Sequence, residues 1–375
     1  MKYLYVATVL SHICQFHLPY LKMLQGNGDI VHVAANDNLY LKNGLELKYT
    51  DQFFNIPFER SPFSPKNIKA YQLLKKVIDD NQYDVIICNT PVGGVCTRLG
   101  SIKTRKKGTK VYYIAHGFHF YKGASRKNWV MYYPIEKTMA HFCDAVITIN
   151  KEDYEFAKKH FSGNVEHIHG VGVDSNRYHP ADENQFKSLR EIEGLSPDDF
   201  VIICTGELNQ NKNQILLINA VEKLRNRIPE LKVLLAGNGP LEDELKSTVK
   251  EKSLDSIISF LGYRTDLENV VPVTDLVVSC SYREGMPLNI IEAMLCKKTV
   301  IASKNRGHKE LVDHGVTGYL VDTNDPDQLS KYIEEIYNNK KLAAQFGEAG
   351  YYKAAQYTVN SVEKEIKSIL KIGQK

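Results

Sequence analysis

The chain reads as an α/β protein built from two doubly wound parallel-sheet domains, and three observations predict it. Short β-branched runs alternate with helical stretches, the pattern of a parallel sheet wrapped by helices. That alternation starts afresh in mid-chain, after the acidic, turn-rich segment ADENQFKSLREIEGLSPDD at 181–199. With 375 residues, 43% of them hydrophobic and 25% charged, the chain holds enough apolar material for more than one core.

In the first half the strand-like runs are KYLYVATV, YDVIICN, KVYYIAHG, DAVITIN and VEHIHGV, with helical patterns from Phe16 to Leu24 and over EDYEFAKKHF. In the second half FVIICTGEL, LKVLLAGNG, IISFLGY, DLVVSCS and KTVIASK alternate with QILLINAVEKLRNRI and PLEDELKSTVKEK. The boundary is expected near Pro180 to Asp199, giving domains over 1–179 and 180–356. Each half opens with an apolar strand that runs into a polar loop before a helix. Doubly wound sheets build ligand sites at such strand ends, so two halves facing across a cleft are expected. The tail from Asp327 is helical in pattern, and its last segment carries Val362, Ile366, Ile369 and Leu370 on a face that needs a surface to pack on.

Composition excludes several classes. A net charge of +4 is too mild to imply a nucleic-acid partner. The seven cysteines form no C-x-x-C and sit mostly in apolar runs, as reduced core thiols do in cytosolic proteins. The opening residues lack the apolar run and small-residue site of a secretory signal, and no stretch has ~18 consecutive apolar residues. A cytoplasmic protein is expected.

The most informative stretch is SYREGMPLNIIEAMLCKK at 281–298, directly after DLVVSCS. Pro287 is a natural first helical residue, so the free N–H groups of Leu288, Asn289 and their neighbours, preceded by Gly285 and Met286, should form an anion site. Glu284 lies in the loop and Glu292 more than one turn inside the helix, so the two carboxylates reach different parts of an occupant. A carboxylate can accept two hydrogen bonds, which a ribose diol or adjacent sugar hydroxyls would offer. In GELNQNKNQ at 206–214, Gly206 closes a strand and Lys212 precedes a helix expected from about Asn213. A lysine beside the positive end of a helix dipole is favourable only with an anion between them. Gly237 and Gly239 end the next strand, and Pro240 is expected to open a further helix; the full G-x-G-x-x-G of dinucleotide folds is missing.

On these residues the chain resembles the family 4 retaining glycosyltransferases of GT-B architecture, of the bacterial surface-polysaccharide type. The match spans the whole chain: the strand-loop start, the HG at His116 and Gly117, VGVD…Y-x-P, GEL…KN, GNGP, FLGYR, and the two glutamates with seven residues between them. The resemblance implies two facing Rossmann-like domains, an acceptor held by the first, a nucleotide-sugar donor held by the second, and a last helix, 357–375, crossing back. It implies that Glu292 binds the donor ribose, Glu284 the transferred sugar and Lys212 the diphosphate, and that His116 approaches the sugar. One departure concerns Glu207, where family members usually carry an arginine that helps neutralise the diphosphate. Arg264 or Arg283 is expected to compensate.

Negative charge on the departing diphosphate would be stabilised by the helix N–H groups and Lys212, so neither metal nor cofactor is expected. Asp325-Pro326-Asp327 reads as a helix cap rather than a metal pair, and His167 with His169 as structural. His12 and His17, in the first loop, are candidates for acceptor or phosphate contact. Residues 98–137 concentrate ten Lys or Arg against Glu136 alone, interleaved with Phe118, Phe120, Tyr121, Trp129, Tyr132 and Tyr133. Basic and aromatic residues together suit an anionic membrane surface, and hence a peripheral place on the inner leaflet and a lipid-diphosphate-linked acceptor. The expected reaction is transfer of a hexose or N-acetylhexosamine from a UDP-sugar to a polysaccharide precursor. A UDP-sugar 2-epimerase of the same fold, or a non-catalytic sugar-nucleotide-binding subunit, is the alternative.

Overall fold

A computed structural model describes residues 1–41 and 44–372. The chain divides into two compact units, Met1–Gly172 joined by the segment from Val362 onward, and Val173–Ser361.

The first unit carries β1 (Lys2–Val9), β2 (Ile30–Asn36), β3 (Gln52–Asn55), β4 (Val85–Asn89), β5 (Lys110–Ala115), β6 (Ala145–Thr148) and β7 (Val165–His167). They form one sheet in the order β3-β2-β1-β4-β5-β6-β7, with every pairing parallel. The second unit carries β8 (Phe200–Thr205), β9 (Leu231–Ala236), β10 (Ile258–Gly262), β11 (Leu276–Ser279), β12 (Thr299–Ser303) and β13 (Gly318–Val321). Their order is β10-β9-β8-β11-β12-β13, again parallel throughout. The direction of winding reverses between β1 and β4 and between β8 and β11, and at such a reversal the loops beyond the strand ends part to leave a crevice.

Both sheets are covered on two faces, and their central strands are correspondingly apolar at nearly every position. Three strands are absent from the sequence reading. β3 is a four-residue edge strand with little pattern to detect, and in β2 the apolar run IVHVAAN is interrupted by His32. β13 starts at Gly318, whose φ of +153° and approach to the Val300 carbonyl leave no room for a side chain. The helix expected from Phe16 to Leu24 is two helices, Leu10–Phe16 and Leu18–Gly26, broken at His17 before Pro19. Two expected helix starts shift: Pro287 is an extended N-cap before Leu288–Leu295, and Pro240 lies in a turn before Glu242–Glu251.

The passage into the second unit comes at Val173, before the expected Pro180–Asp199, because Val173 pairs with Thr358. Its N–H donates to the Tyr357 carbonyl and its carbonyl accepts from Val359, both at 2.9 Å. The last helix, Val359–Leu370, buries Val362, Ile366 and Leu370. Glu365 ties it to the first unit, accepting from the His169 backbone N–H at 2.9 Å and meeting His169 Nδ1 at 2.7 Å. All seven cysteines are buried and free, and Asp325 caps the helix Pro326–Asn338 by accepting from the Gln328 N–H. Among the described residues no helix is long and apolar enough to cross a membrane.

The basic stretch is less of a surface than its sequence suggests. Arg98 is fully buried, with its guanidinium 2.9 Å from Glu136 and stacked 3.9 Å over the Tyr113 ring. Arg105 and Lys110 both pair with Asp144. Phe118 and Phe120 belong to the core, and Trp129, Tyr132 and Tyr133 pack against it. The aromatic part of the expected membrane face is therefore corrected to core packing, since rings this large gain more from burial than from an aqueous edge.

The Arg98–Glu136 pair is a buried charge pair whose members hold each other in place. Glu136→Ala should destabilise the first unit by about 3–5 kcal/mol in urea unfolding, because it strands the guanidinium. Glu183→Ala, at the exposed Lys187–Glu183 pair, should change stability by less than about 1 kcal/mol.

Candidate functional site

In the second unit the loops after β8, β9, β11 and β12 meet at the carboxyl edge around the β8/β11 reversal. Backbone proximity is enforced by glycine. Gly206 (φ +140°) and Gly237 (φ +148°) lie side by side, and a Cβ on Gly237 would fall 2.0 Å from the Gly206 carbonyl oxygen. A Cβ on Gly206 would instead meet the Lys212 side chain, with Cε at 3.1 Å. Lys212 is thereby laid along the strand end, and its Nζ donates to Glu284 Oε1 at 2.7 Å. Two residues distant in sequence, both expected at the site, are thus one ion pair.

Asn residues shape this loop. Asn209 accepts from the Lys212 N–H at 3.0 Å, and Asn211 donates to the Arg283 carbonyl at 3.0 Å. Asn213, in the left-handed region at φ +53°, is the N-cap, so the helix begins at Gln214. Its Nδ2 donates to the carbonyls of Cys280 and Thr323, joining the β8 loop to the loops after β11 and β13. The helix Leu288–Leu295 starts with no side-chain cap on its N–H groups among the described residues, which leaves its positive end free for an anion. Met286 and Pro287 are buried, and Asn289 reaches the Thr205 carbonyl at 3.4 Å. Gly285 is covered by Gly307, whose Cβ would lie 2.9 Å from the Gly285 carbonyl.

Glu292 lies a turn deeper in the helix. Burial pushes its carboxyl up to about 7; Arg177 pulls it back, Glu268 adds to the rise and a bond from the Tyr178 hydroxyl lowers it. Arg177 is itself paired with Glu268 at 2.9 Å. A proton-bearing Glu292 beside Tyr178 is a polar pair able to trade partners with hydroxyls of a ligand.

Arg264 does not serve as expected. Its guanidinium meets Glu193 at 2.7 and 3.0 Å and Asp266 at 2.7 and 2.8 Å, so its charge is already matched and it is no free cation for a donor. Glu207 is exposed and accepts from Asn209 at 2.9 Å, directed to solvent. Arg283 is exposed and forms no ion pair among the described residues. The residues that sequence reading missed are Tyr178 and Arg177 beside Glu292, and His308. His308 is buried, bonded to Ser279 Oγ at 3.0 Å and the Ser303 carbonyl at 2.7 Å, and pushed down to about 4 by burial. The visible signal was the capping Asn305, which accepts from the His308 N–H.

In the first unit the equivalent edge gathers His12 after β1, Asn89 and Thr90 at the end of β4, and His116 after β5. His116 Nε2 lies 3.2 Å from each of His12 Nε2, His17 Nε2 and Asn89 Oδ1. Burial lowers all three histidines, His12 to about 4 and the other two further below their ordinary range, so the rings are neutral. Thr90 sits at φ +65°, a conformation that a β-branched residue rarely adopts, with Oγ1 2.7 Å from Thr8 Oγ1. A cavity of about 290 Å³ is lined by Thr8, Thr90, His12, Arg60, His119 and Tyr132. His167 and His169 meet edge to face, and His169 ties down the last helix rather than joining this group.

The Glu292 proton has a consequence for stability. The folded chain keeps it up to about pH 7, whereas the unfolded chain releases it near its ordinary 4.5. Its contribution is complete below about 4.5 and is lost as pH rises to about 7. Urea unfolding of the second unit should show stability falling across that window, and Glu292→Gln should flatten the fall; an unchanged slope would refute the raised carboxyl.

Comparison with known proteins agrees with this geometry. Residues 185–353 match the family described as Glycosyl transferases group 1, and residues 3–150 match Glycosyl transferase 4-like. The chain is 40% identical over 370 residues to the putative glycosyltransferase EpsD of Bacillus subtilis, covering 98% of this chain and 96% of that protein. It is 28% identical to the UDP-Gal:alpha-D-GlcNAc-diphosphoundecaprenol alpha-1,3-galactosyltransferase of Escherichia coli, over 74% of this chain and 72% of that one. The crystal structure of Anabaena Alr3699/HepE in complex with UDP and glucose superposes with a TM-score of 0.81 at 24% identity, covering 99% of both chains, and shares the GT-B fold. Similarity sustained across both units, together with the paired strand-end sites, shows that the chain belongs to the group 1, family 4 glycosyltransferases.

Proposed function

We propose that this glycosyltransferase takes its sugar from a UDP-sugar and transfers it with retention onto a lipid-diphosphate-linked saccharide. The observation that carries the donor half is the strand-end cradle of the second unit, in which Lys212, held by Gly206 and paired with Glu284 at 2.7 Å, lies in the loop network that leads to the uncapped helix at Leu288. A diphosphate is the anion that would match a lysine and a helix start together. The titles of the HepE structures name UDP and UDP-glucose as ligands of that protein, which supports the choice of base.

In this reading the helix N–H groups and Lys212 take up charge on the departing diphosphate as the anomeric C–O bond breaks. Gly285, Met286, Pro287, Leu288 and Asn289 bring the backbone close, and Gly237 lets the neighbouring loop close against Gly206. Glu284, released from Lys212, faces the sugar hydroxyls, and Glu292 accepts from the ribose. With Glu207 turned to solvent and Arg264 already paired, Arg283 is the remaining cation for the role that the family usually gives to an arginine at 207. No cofactor is assigned to the transfer, and a metal-independent departure is part of the proposal. His116 with His12 and His17 marks the acceptor end of the first sheet.

Two relatives bear on the acceptor. The Escherichia coli enzyme is named for a diphosphoundecaprenol substrate, and a Campylobacter jejuni relative, 23% identical, for a PP-undecaprenol one. A lipid-linked acceptor calls for a membrane-facing surface, and the helix Arg126–Met139 offers one. Val130 is 77% exposed among the exposed Arg126, Lys127 and Lys137. Work at the cytoplasmic face of the membrane follows from that placement.

Two measurements check this reading. UDP at ~100 times its dissociation constant should add about 2.7 kcal/mol to the unfolding free energy of the wild type and nothing to Glu292→Ala; an equal response would remove Glu292 from the site. The protein should float with anionic liposomes at low salt and release at high salt, and Arg126→Glu with Lys127→Glu should abolish flotation. Binding unaffected by salt or by these substitutions would defeat the membrane surface.

A further inference from the structure

Three imidazole nitrogens and an amide oxygen converge at the carboxyl edge of the first sheet in a way that hydrogen bonding alone does not satisfy. His116 Nε2 stands 3.2 Å from His12 Nε2, from His17 Nε2 and from Asn89 Oδ1. A neutral imidazole nitrogen offers a single in-plane site, one N–H or one lone pair, so Nε2 of His116 can satisfy only one of these three neighbours. The other atoms are polar groups held close without a proton to share. Orientation of the amide is fixed separately, because Asn89 Nδ2 donates to the Val6 carbonyl at 3.3 Å and so turns Oδ1 toward the histidines. His17 is fully buried, and its Nδ1 has no hydrogen-bond partner; no protein acceptor selects its tautomer.

A tetrahedral zinc-class ion with bonds of about 2.0–2.1 Å to nitrogen separates its ligand atoms by roughly 3.3 Å. The three separations around His116 Nε2 match that edge, and the metal-ligating atoms of the three histidines all lie within 4.8 Å of one another. The chain is bent to achieve this. In an unbroken helix His12 and His17 would stand about 140° apart around the axis, on largely different faces. The break between Leu10–Phe16 and Leu18–Gly26 falls at His17 itself, with φ −123° and ψ −3°, and brings both rings to His116.

We propose that His12, His17 and His116, with Asn89 Oδ1 as fourth donor, bind one divalent transition ion of the zinc class. Imidazole suits zinc, cobalt and nickel, whereas magnesium and calcium prefer all-oxygen sets. His12 also lines the cavity shared with Thr8, Thr90 and Arg60, which gives the ion a path of entry. This centre is built from residues of the first unit alone, and its occupancy is independent of the donor reading.

Metal alone is the probe. Full-length protein stripped with a chelator and dialysed against Zn²⁺ or Co²⁺ should retain one equivalent, and X-ray absorption of the zinc form should show three imidazoles with oxygen at about 2.0 Å. His12→Ala, His17→Ala and His116→Ala should each weaken retention at least tenfold, while His167→Ala should not change it. Far-UV circular dichroism and the urea unfolding of the first unit serve as the fold control for each variant. Retention no greater than that of the triple variant, retention indifferent to the three substitutions, or a coordination shell with sulfur or fewer than three imidazoles would each overturn the proposal. The absorption experiment needs only the wild type, so it decides the matter even if a buried variant does not fold.

Discussion

All-parallel pairing is the constraint on which everything else in this protein depends. It forces each strand to end at the same edge of its sheet and each connection to pass over a face, so every loop that leads out of a strand collects along one line. Where the winding reverses, between β1 and β4 and between β8 and β11, the loops diverge and leave room. Both clusters of chemically interesting side chains are found there. The cradle of Lys212 and Glu284 follows β8, β9, β11 and β12, and the histidine cluster follows β1, β4 and β5.

The two edges use that room differently. In the second unit the loops are pressed together by missing side chains: Gly237 against the Gly206 carbonyl, Gly239 against Leu208, Gly307 against Gly285. Close backbones carry charge cheaply, since N–H groups and a single lysine suffice where bulkier loops would need extra cations. Lys212 is held by its contact with Gly206 and its bond to Glu284, so the cation and the carboxylate expected at the sugar keep each other soluble in a partly closed site until an anion competes. In the first unit the edge is populated by rings instead, and burial keeps them uncharged.

A good deal of this was legible in the residues. Strand cores such as FVIICT and VIICN are apolar up to their last residue because both sheet faces are covered, and that pattern carries the fold class. The seven residues between Glu284 and Glu292 carry the chain from the β11 loop into the helix Leu288–Leu295, and Asp325-Pro326 marked a cap. What escaped was local and geometric. Arg264 looked like an available cation because nothing in LGYRTDL reveals that Glu193, some seventy residues earlier, would grip it from two sides. Arg98 looked like surface because charge counting is blind to burial, and its partner Glu136 was counted as the single acid in a basic run.

The sequence by itself determined the architecture and the family, because strand burial and the spacing of residues along one loop are properties of neighbours in the chain. Tertiary structure alone decided partnership. Glu292 holds a proton because packing against segments far away in the chain buries it and brings Glu268 beside it, and three histidines separated by up to 104 positions share one point because a helix breaks at His17. Such convergence depends on distances through space, and these are set by how strands pair and loops pack rather than by any interval in the chain.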